Sequence, residues 1–220
     1  MHAPRLISIA DHDVRLAGDL TAPDEARGVV VFAHGSGSGR FSPRNRFVAG
    51  ALNRRGMATL LIDLLTADED EAEIAGGQKR FDIALLAGRL MAAVSWLRAD
   101  PLCAEMPIGL FGASTGAAAA LVVAAREPES IAAVVSRGGR PDLAGHALPG
   151  VQAPTLLIVG GGDREVLALN RWALDRLQCE RAIEVVPGAG HLFAEDGALD
   201  RVADLASAWF AARLATTAMR

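Results

Sequence analysis

The chain has 220 residues, of which 51% are hydrophobic, and its 22 basic and 26 acidic side chains leave a formal net charge of −4. That length suits one domain with an apolar core of its own, needing neither disulfides nor a structural metal, and the apolar content argues against disorder. The mildly acidic balance gives no electrostatic footprint for nucleic acid or an anionic membrane, and no apolar run is long enough for a signal peptide or a membrane span, so the expected location is cytoplasmic.

LISIA (6–10) and VRLAGDL (14–20) flank the polar Asp11-His12-Asp13, which predicts an antiparallel hairpin. GVVVFAHG is a continuous β-branched run and predicts a buried strand over 29–33. A Gly/Ser-rich loop follows, with the polar FSPRN expected to delay the next helix. NRFVAGALNRRG carries Phe47, Val48, Ala51 and Leu52 at helical spacing and stops at Gly56. MATLLIDLL (57–65) predicts a second buried strand, and the acidic DEDEAE (68–73) a solvated surface loop.

Residues 79–98 place Phe81, Leu85, Leu86, Leu90, Val94 and Leu97 along one helix face, with Pro101 just beyond. Strands are expected at 108–111, 131–135, 155–160 and 182–186, and helices at 115–126, 166–178 and 198–213. Strand–helix alternation after a leading hairpin predicts an α/β fold. Its sheet is mostly parallel, helices cover both faces, and a single domain spans 1–220. Ligands of such sheets bind beyond the carboxyl ends of the strands.

Three of those ends carry reactive groups. Ser114 lies in Gly112-Ala113-Ser114-Thr115-Gly116, Asp163 in Gly161-Gly162-Asp163, and His191 in Pro187-Gly188-Ala189-Gly190-His191. A serine hydroxyl needs a base to become a nucleophile, histidine titrates near neutrality, and an aspartate on the second ring nitrogen fixes the tautomer. Glycines beside the serine suit a strand that turns at once into a helix. Glu165 and Asp142 are local rivals to Asp163.

This constellation resembles the α/β-hydrolase superfamily, with its G-x-S-x-G elbow and Ser…Asp…His order, and is most similar to the dienelactone-hydrolase-like group over nearly the whole chain. The resemblance implies Ser114 as nucleophile, Asp163 as acid and His191 as base. It also implies that His34-Gly35 opens a loop in which Ser36 gives one oxyanion N–H, Thr115 giving the other. Dienelactone hydrolases proper use a cysteine at the elbow. Here it is serine, and Cys103 and Cys179 read as small packed hydrophobes. Fewer than twenty residues separate Ser136 from Thr155, too few for the cap domain that many relatives insert there.

Other features leave alternatives open. His34 either faces substrate or holds the oxyanion loop in shape, and His146 reads as a loop histidine. Gly35, Gly37 and Gly39 miss the spacing of a dinucleotide fingerprint. Arg40, Arg44, Arg46, Arg137 and Arg140 follow two strand ends. They are either an anion-binding mouth for an acyl substrate or salt-bridged loop residues. The expected activity is hydrolysis of a carboxylic ester or related acyl bond, without cofactor or metal. Acyl transfer, thioester cleavage and a non-catalytic binding protein are the alternatives.

Overall fold

The computed structural model describes residues 3–74 and 76–214. Eight strands form one sheet: β1 (Arg5–Asp11), β2 (Val14–Thr21), β3 (Val29–Ala33), β4 (Ala58–Ile62), β5 (Ile108–Ala113), β6 (Ile131–Arg137), β7 (Thr155–Gly160) and β8 (Arg181–Val186). Their order across the sheet is β1-β2-β4-β3-β5-β6-β7-β8. β1 pairs with β2 and β2 with β4 antiparallel, and every other pairing is parallel. The hairpin turns through His12, which takes a positive φ of 49°. Its second strand skips β3 and lies against β4.

The apolar runs become strands because both of their faces are covered. Every residue of β3, β4, β5 and β7 is buried, as parallel strands between helix layers require. Side chains alternate between two cores. Val29, Val31, Leu60, Leu110 and Leu157 pack against α3 (Ile83–Ala99) and α4 (Thr115–Arg126). Val30, Phe32, Phe111, Val135 and Ile158 face α1 (Pro43–Arg54) and α6 (Ala198–Arg213). In α4, Ala117 to Ala120 are fully buried, so the helix sits close to its neighbours with no bulky side chain between. α5 (Arg164–Leu174) follows β7 and ends earlier than the spacing suggests.

Three expectations are corrected. The acidic segment forms helix α2 (Ala67–Ile74) instead of a loop. Its anchor is ionic: Glu69 meets both terminal nitrogens of the buried Arg89 at 2.6 and 2.7 Å, and Glu73 meets Arg80 Nε at 2.5 Å. The FSPRN segment does not delay α1. Ser42 caps it, accepting from the Asn45 N–H, and Pro43 stands at its first position, where a missing N–H costs nothing. The long helix starts later than expected, at Ile83, because Asp82 accepts from the Leu85 N–H as its cap. Between β6 and β7 there is only a 3₁₀ segment, Pro141–Gly150, kinked at Gly145, so no cap domain covers the carboxyl ends. Among the described residues no helix is long and apolar enough to cross a membrane.

Arg89 and Lys79 hold the Glu69 carboxyl down to about 2, against burial, which pushes it the other way. A depressed carboxylate contributes stability above its ordinary pKa and loses it as pH falls through the lowered value. Glu69→Gln is therefore expected to lower Tm at pH 7. The deficit should shrink as pH falls from about 4.5 toward 2, as read by thermal melts across that range.

Candidate active site

The turn from β5 into α4 is tightly constrained. Ser114 takes φ 50° and ψ −122°, a region costing a non-glycine residue about 1–3 kcal/mol. Neighbouring chains come so near that side chains are excluded. A Cβ on Gly112 would lie 2.4 Å from Ala117 Cα, and one on Gly116 would lie 2.2 Å from the Ala33 carbonyl oxygen. A Cβ on Gly35 would lie 2.9 Å from that of Ser114. The result is a half-buried serine on a sharp turn, at the amino end of a twelve-residue helix, whose first N–H groups have no intrahelical partner.

Asp163 and His191 come together from the ends of β7 and β8. Asp163 Oδ2 lies 2.7 Å from His191 Nδ1, which directs the other ring nitrogen, Nε2, away from the carboxylate. Glycines again allow the approach: a Cβ on Gly160 would lie 2.3 Å from the Ala189 carbonyl oxygen. The imidazole is exposed, with 41% of its side-chain surface open, while Asp163 is largely covered. Gly138, at the end of β6, abuts this loop, its Cβ direction 3.7 Å from His191 Nδ1. Among the described residues no hydrogen bond joins Ser114 to His191; in ligand-free sites such contacts commonly tighten only with substrate. The rivals stand apart, since Asp142 is engaged by Arg140 and Glu165 lies within the first turn of α5.

The loop after β3 is pinned from inside. His34 is buried, its Nδ1 2.9 Å from the Gly35 carbonyl oxygen and its Nε2 accepting from the Leu64 N–H at 2.9 Å. That pattern needs the neutral ring with its proton on Nδ1, and burial pushes its pKa below the ordinary value. Both nitrogens are thus engaged with backbone, which makes His34 a positioning residue. The Ser36 N–H donates to the Thr115 hydroxyl at 3.1 Å, so it reaches an oxyanion only when that hydroxyl yields. The Thr115 side chain was not legible as part of the site; its place directly after the elbow serine was the available signal.

The five arginines separate by counter-charge. Arg40 pairs with Asp63 and with Asp19 (3.4 Å), Arg46 with Asp19 (3.1 Å), and Arg140 with Asp142 through two contacts of 2.9 and 2.8 Å. Asp63 follows β4, another carboxyl end, so the rule that located Asp163 and His191 would also have found it. Among the described residues, Arg44 and Arg137 have no such carboxylate partner. An open cleft of about 730 Å³ beside the loop is lined by Arg15, Phe41, Asp63, Leu65, Asp70 and Arg80, among others. Gly37 and Ser38 line both this cleft and a smaller recess walled by His34, Ser36 and Thr115. Among the described residues no group of three or more His, Cys, Asp or Glu side chains is arranged to hold a metal ion.

A family model described as "Dienelactone hydrolase family" matches residues 16–216. A crystal structure of dienelactone hydrolase from Anabaena variabilis is 54% identical, with a TM-score of 0.94, and the match covers 97% of this chain and 100% of that one. A Mycobacterium tuberculosis protein, provisionally named a phosphoribosyl transferase, is 53% identical over 204 residues, covering 93% of this chain. The match spans only 45% of that relative's length. The fold is also that of Est1E from Butyrivibrio proteoclasticus, solved with ferulic acid. It is 18% identical with a TM-score of 0.78, over 96% of this chain and 100% of that one.

The glycine contacts make a direct prediction. Gly→Ala inside a helix ordinarily gains about 1 kcal/mol. Gly116→Ala is instead expected to destabilise by about 1–3 kcal/mol, read as a lower urea midpoint, because the methyl group meets the β3 backbone. A raised midpoint would show that this contact has room to spare.

Proposed function

Because the chain belongs to the dienelactone hydrolase family, and so is a hydrolase by family and fold, we propose that it cleaves a carboxylic ester or related acyl bond with Ser114 as nucleophile. The observation that carries the proposal is the strained Ser114 backbone at a helix amino end, with the His191–Asp163 pair on adjacent strand ends. Lactone cleavage, the activity named for the Anabaena relative, is itself acyl–oxygen hydrolysis. The elbow serine is the departure from the cysteine expected of dienelactone hydrolases proper, and it favours an oxygen ester intermediate over a thioester.

In the first step Ser114 Oγ attacks the carbonyl carbon while His191 Nε2 takes its proton. Asp163 keeps the proton on Nδ1 and stabilises the imidazolium that forms. The Thr115 N–H at the start of α4 receives the developing oxyanion, aided by the helix dipole. The Ser36 N–H is the second donor once the Thr115 hydroxyl turns aside; one such donor is worth roughly 10²–10³ in rate. His191 returns the proton to the leaving alkoxide, which departs as the alcohol. It then deprotonates a water that attacks the Ser114 ester, releasing the acid and restoring the serine. His34 takes no proton in this scheme and acts by holding Gly35 and Ser36 in place.

The name of the M. tuberculosis relatives belongs to a polypeptide more than twice the matched length, of which the chain spans 45%. The elbow and its partners favour hydrolysis for the portion in hand. Acyl transfer on the same groups differs only in what attacks the acyl-enzyme.

A fluorophosphonate probe is expected to label Ser114, with labelling absent in Ser114→Ala. In His191→Ala, both labelling and 4-nitrophenyl ester turnover should fall by roughly 10²–10⁴-fold. Wild-type protein that neither labels nor turns over would overturn the reading.

A further inference from the structure

The Thr115 hydroxyl is buried beside the elbow with a proton that no neighbour takes up. Thr115 opens α4 and is only 4% exposed. Its Oγ1 accepts the Ser36 N–H at 3.1 Å, and among the described residues it donates to no acceptor. A hydroxyl has one donor and two acceptor positions, and its hydrogen turns to suit. Buried polar groups ordinarily find partners. Thr155, also buried, gives its proton to the Ala153 carbonyl oxygen at 2.9 Å. A threonine inside a helix can bond a carbonyl of the preceding turn. At the first position of α4 the preceding residues are β5 and Ser114, so no helical carbonyl stands there.

The bond to Ser36 joins the two residues whose N–H groups face the developing charge. The Thr115 N–H has no intrahelical partner, and the Ser36 N–H is spent on Oγ1. An oxyanion held by both N–H groups lies about 2.7–3.1 Å from each. It therefore arrives where the Ser36 N–H now meets Oγ1, and the resting protein keeps its own hydroxyl in that place. A recess of about 10 Å³ borders both residues, about the space of one water-sized group, so the hydroxyl has room to turn. Hydrogen bonds to an ionised oxygen are roughly twice as strong as neutral ones. One neutral bond is thus exchanged for two charge-assisted bonds, one from the Ser36 N–H and one from the hydroxyl. The charge exists only at the tetrahedral stage, so the gain falls on the transition state and not on the bound ester.

We propose that the Thr115 side chain is a catalytic residue. On releasing the Ser36 N–H, its hydroxyl donates a third hydrogen bond to the oxyanion, beside the N–H groups of Thr115 and Ser36. No proton is transferred: the bond forms with the oxyanion, and Oγ1 takes back the Ser36 N–H when the oxyanion collapses. The proposal rests on the hydrolase reading and adds a donor that the backbone of the fold does not supply.

Thr115→Val keeps the shape of the side chain and removes the hydroxyl. With 4-nitrophenyl acetate its kcat is expected to fall roughly 10–10²-fold, with KM little changed, the pattern of an interaction made only in the transition state. Thr115→Ser, which keeps the hydroxyl, should retain most of the wild-type rate. An alkyl trifluoromethyl ketone, which adds to Ser114 as a charged hemiketal, gives the second readout. Its Ki should rise in Thr115→Val by the factor by which kcat/KM falls, because analogue and transition state use the same donors. A threonine that only packs the turn would lower Tm and leave that Ki where it was. Turnover by Thr115→Val equal to or above wild type, or a fall in kcat/KM with an unchanged Ki, overturns the proposal. If Thr115→Val fails to fold, Thr115→Ala carries the same comparison. Wild-type protein that neither labels nor turns over overturns the hydrolase reading and this inference together. Full turnover in Thr115→Val overturns this inference alone.

Discussion

Where β5 runs into α4, three backbones meet at a spacing that leaves no volume for side chains. Gly112, Gly116 and Gly35 face atoms that any Cβ would strike, and Ser114 takes up the remaining angular strain with a positive φ. Close-packed interiors give little under such pressure. The serine is therefore held out over the sheet edge by the surrounding chain, its N–H donating to the Arg137 carbonyl and its own carbonyl accepting from the Ala117 and Arg140 N–H groups. Other parts of the site are placed relative to this point: the loop after β3 lies beside it, and β6 ends against its N–H.

The loop after β3 is fastened at several places. The His34 ring spans from Gly35 to the Leu64 N–H, so the first residues of the loop are tied to the chain beyond β4. The Arg40 N–H donates to Asp63 at 2.6 Å, and Ser42 starts α1 directly afterward. Asp19 on β2 takes both Arg40 and Arg46, which is possible only because β2 lies against β4. The leading hairpin thus reaches the site through its charges. A segment rich in glycine and serine is by this means tied at both ends to the chain around it.

Most of the parallel strands were legible because they are continuous apolar runs, and Ser114, Asp163 and His191 because they stand in the turns and loops that follow three strands. What escaped were features set by charge or by distant chain. Helix α2 has little apolar periodicity to read: Glu69 and Glu73 anchor it through Arg89 and Arg80 and mark its inward side, while Asp68, Asp70 and Glu71 form the solvated acidic face. The start of α1 was signalled by Ser42 and Pro43, but the surrounding polar composition resembles a loop. Which arginines were free depended on the sheet order, since Arg46 meets Asp19 across strands that the sequence does not place side by side.

Asp163 holds one more consequence. It stands at the N-cap of α5, a position where aspartate ordinarily accepts a backbone N–H and contributes about 1 kcal/mol. Here its side chain makes no such bond and is turned to His191 instead. The helix therefore begins under-supported, and the deficit is local and permanent. Random drift under selection for thermal robustness alone would favour residues that cap α5 and release the histidine. A lineage that keeps this geometry is being held to it by something other than the stability of its fold.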